Sequence, residues 1–349
     1  MDEALRFVVP GPITQTTGGY IYDRRVVEGM RAAGHAVDVV ELPGVHPRVD
    51  DATRRAAAAT LAAVPDGAPV VVDGLALPAL ADAVTRDAGR LRLSAMIHHP
   101  LWLETGLAAG EAERLRALEA GCLSAMRRIV VPSARTLADV VAMGVPAERV
   151  TVVPPGTDPA PFAAGSGDGM VRLLSVATLT PRKGHATLIE ALRRLESAAW
   201  RLLVVGSAER DPEHAARLRA IIAAAGLGER VTLAGELDGE ALAAAFHGAD
   251  LFVQASHHEG FGMALAEALA HGLPVVATAV GAAPELVPAG AGLLVPPGDA
   301  AALAAALGRV IADAGERRRL AAGARRAAAA LPGWDETARR FAAGLRLEL

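Results

Sequence analysis

The sequence predicts an α/β protein with two doubly wound, parallel-sheet lobes. Strand-like apolar runs and helix-like amphipathic runs alternate along the whole chain. At 349 residues the chain is long for one domain and comfortable for two, each with its own core. A Pro- and Gly-rich segment at 154–159 and a Gly- and Ser-containing segment at 163–169 interrupt the alternation. We therefore expect two Rossmann-like lobes joined by a hinge, with a cleft between them.

The first lobe is predicted to span residues 1–160. It opens with a strand at Leu5 to Val9, and an amphipathic helix follows from Gly18 to Gly34, where glycine favours a helix end. Further strands are predicted at 37–42, 70–73, 91–98, 129–132 and 150–153, with helices between them that include 51–64 and 111–126.

The second lobe is predicted to span residues 161–332 and to repeat this alternation. Its strands are predicted at 171–177, 201–205, 231–234, 251–254, 274–277 and 292–295. The remaining segment, 333–349, is predicted to be helical from Trp334 to Leu349.

Composition narrows the class of protein. Hydrophobic residues make up 52% of the chain and charged residues 21%, which is typical of a soluble globular protein. A net charge of −4 gives no general attraction to nucleic acid or to anionic lipid. The single cysteine, Cys122, excludes an intrachain disulfide and fits a reducing compartment. Because the run from Leu5 to Val9 is too short for a signal peptide or a membrane span, we expect a cytoplasmic protein without an integral membrane segment.

The chain contains one lysine among its 35 basic residues. This residue, Lys183, stands between Arg182 and Gly184, after the first strand of the second lobe and before a helix. Arginine can bind two phosphate oxygens at once and lysine supplies a compact point charge, so the pair suits a diphosphate. The alternative is a solvated basic pair at a helix start.

Two carboxylates lie eight positions apart in the second lobe. Glu259 falls in the loop after a buried strand at 249–254, where open parallel sheets hold their ligands. Glu267 lies more than one turn inside an apolar helix at 263–271, where a carboxylate is costly to bury unless something hydrogen-bonds to it. The alternative is a helix start with a favourable early Glu and a second, solvated Glu.

The first lobe offers two candidate sites. Gly18 and Gly19 lie between a strand and a helix, where backbone N–H groups can approach an anion, although an ordinary βα turn has the same composition. His98 and His99 follow an apolar strand, a position that more commonly holds a packed or capping histidine.

Taken in order, five motifs resemble those of the retaining glycosyltransferases of family 4, which have the two-lobed GT-B fold. The motifs are the Gly-Gly loop, the strand-end His, the Pro-Pro-Gly-Thr-Asp segment at 154–158, Arg-Lys-Gly and the E-x7-E pair. The resemblance implies that a hexosyl group moves from a UDP- or GDP-sugar to a hydroxyl acceptor with retention, the leaving phosphate assisting proton removal. It implies neither a cofactor nor a metal ion, and the sequence contains no Asp-x-Asp.

The resemblance also implies roles for residues at matching positions. Catalytic roles fall to His98, facing the donor sugar, and to Glu259, near that sugar, while His99 and Tyr20 are expected to contact the acceptor. Glu267 is expected to bond the ribose hydroxyls, and the terminal helix to pack on the first lobe. The other expected donor-binding residues are Gly18, Gly19, Arg182, Lys183, Gly206, Glu236, Leu237, Gly260, Phe261, Gly262 and Met263.

Substrate identity and two rival functions stay open. The segment 98–106 matches no subfamily with a known acceptor, and Gly281-Ala282-Ala283 replaces a more usual Gly-Gly. A soluble small-molecule or saccharide acceptor is expected, because no basic amphipathic helix of the membrane-docking kind is evident. A phosphorylase or a sugar-nucleotide epimerase could use the same scaffold, but a pyridoxal-phosphate phosphorylase needs a lysine, and Lys183 is already assigned. A two-lobed solute-binding protein would require an export signal.

Overall fold

The computed structural model describes residues 4–346. The chain forms two compact units. Unit 1 comprises the residues up to Gly156 together with those from Pro332 onward, and unit 2 spans Thr157–Leu331. Within the described part of the chain, each unit contains a six-stranded parallel sheet flanked by helices. The predicted fold class, two Rossmann-like lobes, is thereby confirmed.

Unit 1 is built from six strands and their connecting helices. The strands are β1 (Leu5–Pro10), β2 (Val37–Leu42), β3 (Pro69–Asp73), β4 (Arg92–Met96), β5 (Arg128–Val131) and β6 (Val150–Val152). The helices between them are α1 (Gly18–Ala32), α2 (Asp51–Ala62), α3 (Leu77–Asp87), α4 (Ala109–Ser124) and α5 (Ala134–Val141). The order in the sheet is β2-β1-β3-β4-β5-β6, so the connections change direction between β1 and β3, where ligands commonly bind in such sheets.

Unit 2 repeats this plan. Its strands are β7 (Val171–Val176), β8 (Trp200–Val205), β9 (Val231–Gly235), β10 (Leu251–Gln254), β11 (Val275–Thr278) and β12 (Gly292–Val295). Its helices are α6 (His185–Arg193), α7 (Pro212–Ala224), α8 (Gly239–His247), α9 (Met263–Ala270), α10 (Ala283–Leu286), α11 (Ala300–Ala312) and α12 (Ala314–Ala328). The sheet order is β12-β11-β10-β7-β8-β9, and the change of direction falls between β10 and β7.

The last helix, α13 (Trp334–Leu345), belongs to unit 1 and packs on α1. Phe341 stacks on Phe7 of β1, with ring centroids 5.9 Å apart. The hydroxyl of Thr337 donates a hydrogen bond of 2.9 Å to the carbonyl of Pro154. Helical structure predicted for residues 347–349 lies outside the described residues. The helix therefore completes the core of the unit that contains the start of the chain.

Most element limits differ from the predicted ones by one or two residues. The clearest correction concerns the strand predicted at 91–98, which ends at Met96. Asp73, the last residue of β3, pairs with Met96, so β4 loses its neighbour on that side at this point. On the other side the last ladder bond runs from the N–H of Ile97 to the carbonyl of Val130. His98 thus lies in irregular backbone beyond the sheet.

A buried carboxylate fixes the segment that follows the two histidines. Glu119 of α4 is fully buried and accepts hydrogen bonds from the backbone N–H groups of Leu101, at 2.8 Å, and Trp102, at 3.2 Å. Burial raises the pKa of Glu119 to about 7, against the effect of these two bonds. Glu119 therefore ties the loop after β4 to the core of unit 1.

Candidate active site

The predicted donor-binding residues of unit 2 gather at the carboxyl edge of its sheet. Four neighbouring strands, β10, β7, β8 and β9, contribute to this edge. Arg182 and Lys183 follow β7, Gly206 follows β8, Glu236 and Leu237 follow β9, and the segment 259–263 follows β10. Because these strands are adjacent and parallel, residues far apart in sequence share one edge.

Glu259 lies at the centre of a buried polar cluster on this edge. Its Oε1 atom is 2.5 Å from Lys183 Nζ and its Oε2 atom is 3.4 Å from an Nη of Arg182. The hydroxyl of Ser256 and the amide of Gln254 also donate to Oε1, at 2.7 and 3.3 Å. Glu259 is only 6% exposed, so these four donors replace the water that a carboxylate would otherwise bind.

The surrounding charges keep Glu259 ionised. Burial acts to raise the pKa of this carboxyl, but the charges of Lys183 and Arg182 outweigh burial and lower the pKa to about 2. A group with so low a pKa cannot serve as a general acid near neutral pH. In this geometry the Glu259 carboxylate holds the side chains of Lys183 and Arg182 side by side at the edge of the sheet.

Two glycines let the loops around Glu259 approach to backbone contact. Gly184 has a φ of +67°, and a Cβ there would lie 1.9 Å from the carbonyl oxygen of Ala255. Gly281 has a φ of +57°, and a Cβ there would lie 2.3 Å from the carbonyl oxygen of Glu259. Any side chain at either position would push the strand ends apart, so glycine is required for the cluster to form.

Glu267 lies on α9 of the same unit and remains separate from the Glu259 cluster. Its side chain is partly exposed and makes no hydrogen bond within the described chain. Burial raises the pKa of Glu267 to about 7, and the negative charge of Asp158 adds to that shift. Before the helix, Gly262 adopts a φ of +100° and Phe261 packs in an apolar cluster. This carboxyl group is therefore available to a ligand.

In unit 1, the predicted residues lie near the carboxyl ends of β1 and β4. His98 Nε2 is 3.1 Å from an oxygen of Asp23 on α1 and 3.1 Å from an oxygen of Asp73 at the end of β3. Gly18 and Gly19 open α1, and a Cβ at Gly19 would lie 3.0 Å from Cδ2 of His98. The structure thus brings Gly19 and His98 together.

The two residues predicted to contact the acceptor have partners in unit 1. The Nε2 atom of His99 lies 3.4 Å from a carboxylate oxygen of Glu104. Tyr20 is buried, and its hydroxyl donates to the carbonyl of Pro10. Contact of either residue with an acceptor stays a prediction.

Four polar side chains in these clusters escaped the sequence analysis. Ser256 and Gln254 bind Glu259, and Asp23 and Asp73 bind His98. The sequence did contain a signal for Asp23. Positions 23, 26, 27 and 30 share one helical face, and Val26, Val27 and Met30 make the rest of that face apolar, so a carboxylate at position 23 is unusual. Asp73 directly follows three valines at a strand end, which is also a recognisable ligand position.

Comparison with known families agrees with this arrangement. Residues 18–161 match the model of glycosyltransferase family 4, and residues 158–327 match that of the glycosyl transferases group 1. Together the two matches take in nearly the whole chain, and the resemblance drawn from the motifs is confirmed. The chain belongs to the glycosyltransferases of the family 4 type.

Individual relatives bear related names. A D-inositol 3-phosphate glycosyltransferase from Xylanimonas cellulosilytica is 37% identical over 212 residues, which cover 56% of this chain and 50% of the relative. An MMP alpha-(1->4)-mannosyltransferase from Mycolicibacterium hassiacum is 31% identical over 263 residues, which cover 70% of this chain and 63% of the relative. The chain spans about half the length of the first curated relatives that it matches.

Solved structures share the fold. A sucrose-phosphate synthase from Thermosynechococcus elongatus superposes with a TM-score of 0.83 at 24% identity, covering 99% of this chain and 98% of its own. Anabaena HepE, solved in complex with UDP and glucose, gives a TM-score of 0.78 at 18% identity, and the match covers 99% of this chain and 100% of HepE. Among the residues described, no helix is both long and apolar enough to cross a bilayer.

Proposed function

We propose that the chain is a retaining glycosyltransferase that moves a hexosyl group from a UDP- or GDP-sugar to a hydroxyl acceptor. The observation that carries this proposal is the pair of cations, Lys183 and Arg182, held at the sheet edge by the ionised Glu259. Negative charge grows on the departing diphosphate as the glycosidic bond breaks. Fixed cations aimed at that charge stabilise the transition state more than the ground state.

The proposed reaction needs no acid from the protein. Departure of the nucleoside diphosphate leaves an oxocarbenium-like centre, and the acceptor hydroxyl enters from the same face, its proton passing to the leaving phosphate. The low pKa of Glu259 suits this scheme, because the residue stays ionised and orients Lys183. The two cations supply the charge that a metal ion would otherwise bring to the diphosphate. Retention of the anomeric configuration is proposed by analogy with the family.

The acceptor is proposed to be a soluble small molecule or a saccharide. The name of the first relative specifies an inositol phosphate as its substrate, which supports a small polar acceptor. The complex of HepE with UDP and glucose makes UDP-glucose the first donor to try.

A thermal-shift screen of nucleotide sugars tests the proposal. A ligand present at about 100 times its Kd adds about 2.7 kcal/mol of stability, so the matching nucleotide sugar is expected to raise Tm by several degrees. Proton NMR of the product formed with candidate acceptors is then expected to show the anomeric configuration of the donor. No Tm shift with any nucleotide sugar, or formation of a sugar 1-phosphate only when inorganic phosphate is supplied, would contradict the proposal.

Donor binding is expected to weaken as the pH falls below 7. The carboxylate of Glu267, with a pKa of about 7, is the form that accepts hydrogen bonds from both ribose hydroxyls. Between pH 8 and pH 6 the ionised fraction falls about tenfold, so Kd for the nucleotide sugar is expected to rise by up to about tenfold. Calorimetric titration at constant ionic strength measures this change.

The Glu267→Gln variant is the control for this pH dependence. Its Kd is expected to be higher at pH 8 and nearly constant down to pH 6. Because burial raises the folded-state pKa of Glu267, its ionisation costs stability as the pH rises from about 4.5 through 7. The variant is therefore expected to have the higher Tm at pH 8, and an unchanged pH dependence of Kd would remove Glu267 from the ribose site.

A further inference from the structure

The imidazole of His98 is held by two buried carboxylates from separate elements. Its Nε2 atom lies 3.1 Å from Oδ1 of Asp23, on the buried face of α1, and 3.1 Å from Oδ2 of Asp73, at the end of β3. The two carboxylate side chains are 1% and 5% exposed, whereas that of His98 is 20% exposed. The carboxylates therefore lie behind the ring, and the ring itself reaches solvent.

These carboxylates determine the charge of the ring. Burial acts to lower the pKa of His98, but attraction to Asp23 and hydrogen bonds to Asp23 and Asp73 raise it to about 10. Burial raises the pKa of Asp23 to about 7, while hydrogen bonds to His98 and Asp23 overcome burial and lower that of Asp73. Near neutral pH the ring is an imidazolium, and Asp73 is the anion that balances it.

The orientation of the ring is fixed from several sides. Asp73 is itself held, because its Oδ1 accepts a hydrogen bond of 2.6 Å from the N–H of Leu75. The ring of Tyr22 meets that of His98 in a T-shaped contact with centroids 5.4 Å apart. Gly19 covers the Cδ2 edge so closely that a Cβ there would stand 3.0 Å away. With Nε2 and Cδ2 covered, the opposite edge of the ring carries Nδ1.

The Nδ1 atom of His98 makes no hydrogen bond within residues 4–346. In an imidazolium both ring nitrogens are donors. The cluster therefore presents a charged N–H group in a fixed direction, backed by two carboxylates.

We propose that Asp23 and Asp73 are positioning residues that hold His98 as a fixed imidazolium, whose Nδ1–H donates to a hydroxyl of the transferred sugar. This deepens the proposed function and rests on it. A charge-assisted hydrogen bond from a ring that cannot rotate orients the sugar before transfer. It also discriminates against a sugar that lacks the hydroxyl, because the Nδ1–H group would then lose its acceptor in the complex.

A metal ion is the competing occupant of this cluster. Two carboxylates and an imidazole are common ligands of divalent cations, and their ligand atoms lie within 4.8 Å of one another. Metal binding requires the ligating nitrogen of His98 to be deprotonated. In the geometry described, the same nitrogen faces oxygens of both Asp23 and Asp73 at 3.1 Å, so an Nε2–H group can donate to these buried carboxylates without a metal ion.

Nitrogen-15 NMR of the histidine rings tests the charge directly. The titratable groups around the ring are Tyr22, Asp23 and Asp73, with His46 near Asp73. Wild-type His98 is expected to remain an imidazolium through pH 8.5. In Asp73→Asn, whose amide oxygen can still accept from the backbone, it is expected to titrate at least one pH unit lower, and Asp23→Asn is expected to act in the same direction.

The buried, Arg-paired Asp139 of α5 provides the matched control, Asp139→Asn, which is expected to leave the His98 signals unchanged. A neutral His98 ring in the wild type at pH 7.5 would overturn the proposal. Stoichiometric binding of Zn²⁺ or Mn²⁺ that shifts the Nε2 signal would also overturn it.

A double-mutant cycle tests whether the carboxylates act through the ring. Asp73→Asn is expected to lower kcat about tenfold with little change in KM for the nucleotide sugar, and to cause no further loss when His98 is already alanine. Additive losses would overturn the proposal. Absence of transfer by the wild type would instead count against the proposed function, and the NMR titration would still decide the charge of His98.

Discussion

Replacing Lys183 with alanine is expected to lower kcat/KM for the nucleotide sugar by about 10²- to 10³-fold, the usual effect of removing one fixed donor from a developing negative charge. The melting temperature of the variant is expected to stay close to that of the wild type. Glu259 would keep its bonds from Arg182, Ser256 and Gln254, so the buried carboxylate would remain satisfied. Steady-state kinetics and thermal denaturation of the same preparation measure both quantities.

Two further variants make the Lys183 result specific. Lys183→Arg keeps the positive charge but not the compact ammonium, and it is expected to recover part of the lost activity. Arg193→Ala removes an exposed cation from α6, where it pairs with Glu190, and it is expected to leave kcat/KM unchanged. Normal turnover by Lys183→Ala would exclude Lys183 from the diphosphate site.

Replacing His98 with alanine is expected to lower the rate of transfer by about 10- to 100-fold or more, the equivalent of one charge-assisted hydrogen bond. Binding of UDP or GDP is expected to stay near the wild-type value, because His98 is expected to face the transferred sugar, and most of the residues predicted to bind the donor lie in unit 2. Turnover assays and calorimetry separate the two effects. Circular dichroism checks that the variant folds, since Asp23 and Asp73 lose their partner.

His99 provides the comparison for this experiment. It lies next to His98 in sequence, and its Nε2 atom lies 3.4 Å from a carboxylate oxygen of Glu104. His99→Ala is expected to affect KM for the acceptor more than the rate of transfer from the donor. If His99→Ala alone abolished transfer with normal nucleotide binding, the role assigned to His98 would belong to its neighbour.

The fold could be read from the sequence because parallel strands covered on both faces are continuous apolar runs. β3 and β10, for example, are buried throughout. Strand ends were less predictable, because they depend on neighbours that are distant in sequence. β4 stops where β3 stops, so His98 lies beyond the strand in which the sequence analysis placed it.

The candidate site was predictable only in part. Lys183 and Glu259 were singled out by composition and position, but their contact joins residues 76 positions apart and depends on the adjacency of β7 and β10. Asp23 and Asp73 were missed for a similar reason. Each reads as a single polar residue beside an apolar run, and the strand order together with the packing of α1 brings both to His98.

Calorimetric titration of nucleoside diphosphates and nucleosides into the wild type and Lys183→Ala tests most directly whether the two cations hold the diphosphate. UDP or GDP is expected to bind the wild type at least tenfold more tightly than the corresponding nucleoside. In the variant this advantage is expected to shrink several-fold, while nucleoside affinity stays constant. Equal affinities of the wild type for diphosphate and nucleoside, or an undiminished diphosphate advantage in the variant, would contradict the assignment of the Glu259 cluster to the leaving group.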